Sequence, residues 1–398
     1  MFMEIRPWYV IYRWTTAREI IFGINSLKEL PNKIKYFNSK RVLIVTDSTL
    51  RRVGLIDKVL ETIKPLNIKV EIFDQVEPEP HIETAEKAKE VVRKSRFDLV
   101  IGVGGGSVLD VSKITALMAT NPGNVEDYVG MYTIKKAGIP KILIPTTSGT
   151  GSEVSEAIVL KGKTPGTKAV IYSEYAPGEV VILDPTLTIS LPPRATAMTG
   201  MDALSHAIES YMSIDSTPLS EAFAEKAIQL VAFNLRTAVY QGTDLIARYN
   251  MQMAAMLASM AWTQSSVCQG HAIGLAIGTQ YNLPHGLAVS LALPYVMYFN
   301  LPAIPERMAY IAELMGEDVA MLPVKEAGKM AIKAVFELQK DIGLPIKLSE
   351  IPGAKKRDIP SLAEGSYKAQ RLLKHSPRIT TKEDLEKIIS WMFEGLEL

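Results

Sequence analysis

Four side chains in the second half of the chain have the types and spacing of a metal site. The segment GMDALSHAIE places Asp202 and His206 four residues apart. On a helix that spacing puts both side chains on one face, one turn apart. Further on, QGHAIGLAIGTQYNLPHG carries His271 and His285, fourteen apart. Three imidazoles and one carboxylate make a credible ligand set for a divalent cation. A single buried histidine is more simply explained as a hydrogen-bonded core residue. That explanation weakens here, because the chain has only five histidines and these motifs hold three of them. Buried polar groups require partners, and one cation would serve all four. The other two, His81 and His375, lie in the polar contexts EPEPHIET and LLKHSPR and read as solvated. Cys268, three residues before His271, reads as a small buried side chain rather than a ligand.

A second set of residues suits a phosphate. In IGVGGGSVLDVSK, Gly104, Gly105, Gly106 and Ser107 stand between a buried strand and a helix. Glycines there allow close backbone approach and positive φ, and the helix N-terminus offers unpaired N–H groups and partial positive charge. The same sequence would also serve as a tight turn with Ser107 as N-cap. PTTSGTGSE, from Pro145 to Glu153, follows another apolar strand and has more glycines and small hydroxyls than a turn needs. Asp47 ends the strand RVLIVT. A carboxylate there can accept ribose hydroxyls and repel a 2′-phosphate, or cap the next helix. It precedes Gly104 by 57 residues, whereas in a simple dinucleotide fingerprint the acid follows the glycines. Strand-end loops from separate units must therefore share the nucleotide.

The elements that position these residues fall into two halves. RVLIVT, KVEIF, DLVIGVG, KILIP and EVVILD read as strands, with helical stretches such as ETAEKAKEVVRKS between them. This alternation predicts a mainly parallel sheet covered by helices. The preceding stretch YVIYRWTTAREIIFG reads as an added hairpin or edge strands. After Leu191-Pro192-Pro193 the chain changes to long Ala-, Met- and Leu-rich segments of helical character, such as PLSEAFAEKAIQLVAFNLRTAVY. The expected division is an α/β domain over 1–190 and an all-helical domain over 191–398. A nucleotide site on one and a metal site on the other imply a cleft between domains.

Composition removes other classes. The chain has 44 Lys+Arg against 43 Asp+Glu, so it lacks the basic excess of a nucleic-acid binder. One cysteine permits no intrachain disulfide, which fits a reducing, cytoplasmic setting. The segment MFMEIRPWYVIYRWTTAREI has charges scattered among its apolar residues and lacks the pattern of a signal peptide. From Tyr249 to Pro305 no charged residue occurs. Polar interruptions leave GLAVSLALPYVMYF as an unbroken apolar run, too short to span a bilayer. A buried helix is expected there, and no membrane.

The chemistry that uses a dinucleotide and a cation together is hydride transfer between nicotinamide and a small alcohol or aldehyde, the cation acting as Lewis acid. GGGSVLDVSK, PTTSGTGSE, TGMDALSHAIE and the histidine pair ending in LPHG resemble motifs of the iron-containing (group III) alcohol dehydrogenases. The resemblance runs from the strand ending in Asp47 to HSPRITTKEDLEKII. It implies the architecture shared with dehydroquinate synthase and a homodimer. It also implies a metal on Asp202, His206, His271 and His285, with Fe²⁺ or Zn²⁺ as candidates. Gly104, Gly105, Gly106, Ser107, Thr146, Thr147, Ser148 and Thr150 would hold the pyrophosphate and nicotinamide, and Lys168 would contact the cofactor. Asp47 matches a position that is Asp in NAD users and often Gly in NADP users, so NAD is expected, with NADP possible.

One departure stands out. Many members carry a further histidine, part of a proton relay, where this chain has Leu275. Trp262 matches an aromatic position near substrate in a relative, and simple helix packing explains it nearly as well. Two other activities share the architecture. A dehydroquinate synthase-type lyase needs Lys or Arg beside the metal for its phosphate substrate. The charge-free stretch supplies none, although Arg194, Arg236 or Arg248 could reach the site. A zinc polyol dehydrogenase of the glycerol type lacks a histidine where His206 stands. A non-enzymatic nucleotide sensor would need no metal ligands.

Overall fold

The apolar five- and six-residue runs of the first half form strands, and nearly every one is parallel to its neighbours. In chain order they are β1 (Ile20–Phe22), β2 (Arg41–Val45), β3 (Lys69–Phe73), β4 (Leu99–Gly104), β5 (Gly130–Met131), β6 (Lys141–Pro145), β7 (Ala157–Lys161), β8 (Lys168–Tyr172) and β9 (Val180–Leu183). The computed structural model describes residues 11–164 and 167–398. Six strands make one sheet in the order β1-β9-β6-β4-β2-β3, all pairings parallel. Parallel pairing requires crossovers. These are supplied by α1 (Leu30–Tyr36), α2 (Ser48–Arg52), α3 (Leu55–Ile63), α4 (Ile82–Lys94) and α5 (Gly106–Met118).

Both faces of this sheet are covered. Leu43 and Val45 join one core with α4 and α5, while Val42 and Ile44 join another with α1 and α3. Successive side chains of a strand point to opposite faces, so a strand packed on both sides is apolar throughout. β2 lies between β3 and β4. The connection after β2 runs toward β3 and the one after β4 runs the other way toward β6, which makes the β2/β4 boundary a topological switch point.

The stretch before β2 supplies the edge strand β1, parallel to β9, one of the two forms expected there, and residues 11–19 form no strand or helix. Residues 9 and 10 of that stretch, and the first ten of the segment weighed as a signal peptide, lie outside the described residues. A second sheet, β5-β8-β7, was not anticipated. Its β7 and β8 pair antiparallel, Ala157 with Tyr172 through Lys161 with Lys168.

Beyond Ser190 the described chain is helical: α6 (Pro193–Met212), α7 (Pro218–Tyr240), α8 (Leu245–Ser265), α9 (Gln269–Tyr281), α10 (His285–Asn300), α11 (Pro305–Leu314), α12 (Val324–Asp341), α13 (Ile359–Tyr367), α14 (Gln370–Leu373) and α15 (Lys382–Glu394). Local signals start several of these. Pro occupies the first turn of α6, α7 and α11, and the Asp244 carboxylate accepts the N–H groups of Ile246 and Ala247 to cap α8. Helix α10 is buried nearly all round from Leu287 to Asn300, as a helix apolar on every face must be. No helix of the described residues is long and apolar enough to cross a membrane.

Thr15–Ser190 forms one compact unit, and residues 11–14 group with Leu191–Leu398 in the other. The expected first domain, 1–190, thus loses residues 11–14. The reason is contact: the Trp14 ring lies 5.5 Å from that of Phe223, and Gln264 Nε2 donates to the Arg13 carbonyl.

Candidate functional site

Asp202 and His206 lie one turn apart on α6, and both are buried. His271 is the third residue of α9 and His285 the first of α10. Gly286 allows that convergence, since a Cβ there would meet the Met198 carbonyl oxygen at 2.3 Å and Asp202 Cβ at 3.3 Å. Each of the four residues offers a ligand atom, and these atoms all lie within 4.8 Å of one another. Asp202 Oδ1 is 3.7 Å from His285 Nε2 and 4.0 Å from His206 Nδ1. The His206 ring stacks on that of His271 at 4.7 Å. Only His285 is notably accessible, its side chain 35% exposed.

The donor set suits a divalent ion of borderline softness. Asp202 Oδ1 and His271 Nε2 are buried and have no hydrogen-bond partner, a costly condition that a cation among the four would remove. The electrostatics agree. Burial pushes the Asp202 carboxyl above its usual range, against the pull of His285 and His271. For His271, burial acts to lower the value. The charge and hydrogen bond of Glu209 outweigh it, and the imidazole is held above its ordinary value. Both shifts run toward the protonated form, at a place where a cation would supply the positive charge instead.

Glu209 was missed in the sequence. It is fully buried, with Oε1 2.6 Å from His271 Nδ1. A signal existed: Asp202, His206 and Glu209 stand at i, i+4 and i+7, a single face of α6.

Trp262 stacks on His206, ring centroids 5.5 Å apart, and its Nε1 is buried without a hydrogen-bond partner. Leu275 is half-buried one turn after His271 and packs against the helical core. Two of the three arginines weighed for a phosphate substrate are engaged elsewhere. Arg248 is buried and donates to Thr196 Oγ1 and the carbonyls of Gly242 and Leu191. Arg236 pairs with Asp341. Arg194 is exposed. Cys268 is buried, and its Sγ lies 3.5 Å from the Glu209 and His375 carbonyls. His81 is exposed, as expected. His375 is not simply solvated: its Nδ1 lies 2.5 Å from Asp215 Oδ2.

In the α/β unit, three loops leave the carboxyl ends of the adjacent strands β6, β4 and β2. Residues 104–106 do not use positive φ, contrary to expectation. They need room: a Cβ on Gly104 would meet Val108 Cβ at 2.5 Å, and one on Gly106 would meet Thr150 Oγ1 at 2.6 Å. Nor is Ser107 the N-cap. Gly105 is, and Ser107 Oγ accepts the Glu79 N–H at 3.1 Å. The Glu79 carboxylate holds Lys168 Nζ at 3.0 Å, so one residue links Lys168 to the glycine loop. Thr146 donates its N–H to the Gly104 carbonyl, and Thr147 and Thr150 lie against Gly105 and Gly106. Ser148 Oγ is buried with no hydrogen-bond partner. Asp47 caps α2, its Oδ1 accepting the N–H groups of Thr49 and Leu50 at 2.8 and 2.9 Å.

The chain belongs to the iron-containing alcohol dehydrogenase family. Residues 17–185 match "Iron-containing alcohol dehydrogenase" and residues 196–393 match "Fe-containing alcohol dehydrogenase family, C-terminal". Long-chain-alcohol dehydrogenase 1 of Geobacillus thermodenitrificans is 39% identical over 94% of both chains. The NAD-dependent methanol dehydrogenase of Bacillus methanolicus is 35% identical, over 93% of this chain and 96% of its own. The structure of a 1,3-propanediol oxidoreductase superposes with a TM-score of 0.93 at 37% identity, covering 96% of this chain and all of its own. The family and these relatives are alcohol oxidoreductases.

Proposed function

We propose that the protein is a cation-dependent alcohol dehydrogenase and aldehyde reductase that exchanges hydride between NAD and a small alcohol or aldehyde. The observation that carries this reading is the cluster of Asp202, His206, His271 and His285, with Asp202 Oδ1 and His271 Nε2 buried and unpartnered. A bound Fe²⁺, Zn²⁺ or similar ion would supply a Lewis acid for the substrate oxygen, and the nicotinamide would supply or accept the hydride. The chain's own residues bind and orient. Gly104, Gly105, Gly106 and Ser107 receive the pyrophosphate at the N-terminus of α5. Thr146, Thr147, Ser148 and Thr150 line the neighbouring loop, and Lys168 reaches the cofactor from β8. Asp47 accepts ribose hydroxyls through Oδ2 and disfavours the 2′-phosphate of NADP. The NAD dependence of the methanol dehydrogenase relative supports the same preference. Trp262 and Leu275 make the substrate side apolar. Leu275 cannot carry a proton, so water, a cofactor ribose hydroxyl or another side chain would have to carry the proton of the substrate hydroxyl. The working form is a cytoplasmic homodimer.

The test is metal-reconstituted protein with NAD or NADP and a panel of alcohols and aldehydes, followed by absorbance of the reduced nicotinamide. Turnover is expected, with NAD preferred. No turnover with any pair overturns the reading. His271→Ala should lose metal and activity together, and an active metal-free variant would refute the ligand set.

A further inference from the structure

We infer that Glu209 is the positioning residue of the metal centre, fixing the proton of His271 on Nδ1 so that Nε2 is presented as a bare lone pair. The inference rests on the metal reading above and adds a residue to it.

Three donors converge on this carboxylate. Its Oε2 accepts the N–H of Cys268 at 2.7 Å and of His271 at 3.3 Å. Its Oε1 lies 2.6 Å from His271 Nδ1. Backbone N–H groups can only donate, and an ionised carboxylate can only accept. Nδ1 therefore carries the proton, and a neutral His271 then has none on Nε2, the atom left buried without a hydrogen-bond partner. Cys268 is the N-cap of α9, so the carboxylate also sits at the positive end of that helix. Gly270 makes room for it, because a Cβ there would lie 2.5 Å from Glu209 Oε1. With Asp202, Glu209 brings two carboxylates to the site, enough to balance a dication. A carboxylate behind a ligating imidazole both orients it and raises its basicity.

Glutamine is nearly isosteric but cannot reproduce this pattern. Its oxygen must face the two backbone N–H groups. Its amide N–H then points at Nδ1, which has to accept and so moves the imidazole proton to Nε2. Glu209→Gln should therefore weaken metal binding about 10- to 100-fold. The measurement is Zn²⁺ affinity of the demetallated full chain by competition with a chromophoric chelator, with circular dichroism to compare folding. Equal affinities in wild type and folded variant overturn the role of Glu209 and leave the metal reading standing. Wild-type protein that takes up no Zn²⁺ overturns both. Should the variant not fold, wild-type protein loaded with Zn²⁺ decides the matter by ¹⁵N-resolved NMR of His271. A downfield, hydrogen-bonded Nδ1–H with no proton on Nε2 is expected, and a protonated Nε2 refutes the inference.

Discussion

Asp47 uses only Oδ1 to cap α2, which leaves Oδ2 outside the cap. The two readings of this residue, cap and ribose acceptor, are therefore compatible, and one substitution separates them. Asp47→Gly should raise kcat/KM with NADP relative to NAD and cost only a few tenths of a kcal/mol, since glycine is itself a tolerable N-cap. Steady-state kinetics with both cofactors, beside a denaturant titration, gives the answer. A lost cap with an unmoved cofactor ratio would leave Asp47 purely structural. At this scale the sequence is informative where residue type limits chemistry. His271 and His285 could be chosen as ligands because few other roles suit imidazoles in a charge-free segment, and Asp202 and His206 because they stand one helical turn apart. Glu209 escaped notice because a glutamate on a helix is ordinary until its partners are known. Those partners lie 59 to 62 residues away in the chain.

The loop from Pro145 to Glu153 is held from beneath. Asp110, on α5, accepts Ser152 Oγ at 2.5 Å, the buried Lys113 Nζ at 3.2 Å and the Val159 N–H at 2.9 Å. It thus ties the helix after the glycine loop to the neighbouring loop and to β7. Glu153 is buried in the same place, and burial raises its carboxyl from the ordinary 4.5 to about 7. The folded state then holds a proton that the unfolded state has released between those values. This group's contribution to stability is full below pH 4.5 and is lost as pH rises through 7. The loss amounts to about 3 kcal/mol by linkage. Glu153→Gln cannot ionise and should flatten that dependence. Denaturant titrations of both proteins from pH 5 to 8 check it, and parallel pH profiles would contradict it. Element by element, the β2, β3, β4, β6 and β9 segments were legible because they are apolar runs bounded by turns. The small sheet was not. Residues 157–161 and 168–172 have strand-like composition, but their pairing, and that of β5, depends on which segments meet.

At the scale of the whole molecule, the segment without charge from Tyr249 to Pro305 supplies much of the interior of the helical unit. Any ion it holds should contribute to that unit's stability. A cation at 100 times its dissociation constant adds about 2.7 kcal/mol by mass action. Calorimetry with and without a strong chelator should therefore show the helical unit melting earlier when the metal is removed. An unchanged transition would mean that the four residues hold no ion. The sequence by itself determined the two kinds of architecture, the run of parallel strands and the identity of the four clustered residues. These follow from local periodicity and from the few roles open to each residue type. Only the tertiary structure decided the rest. It grouped residues 11–14 with the helical unit, gave the glycine loop close packing instead of positive φ, and set Glu209 against His271. Each of these is a contact between segments distant in sequence. Such contacts depend on the space that packed elements leave, and no local pattern of residues records that space.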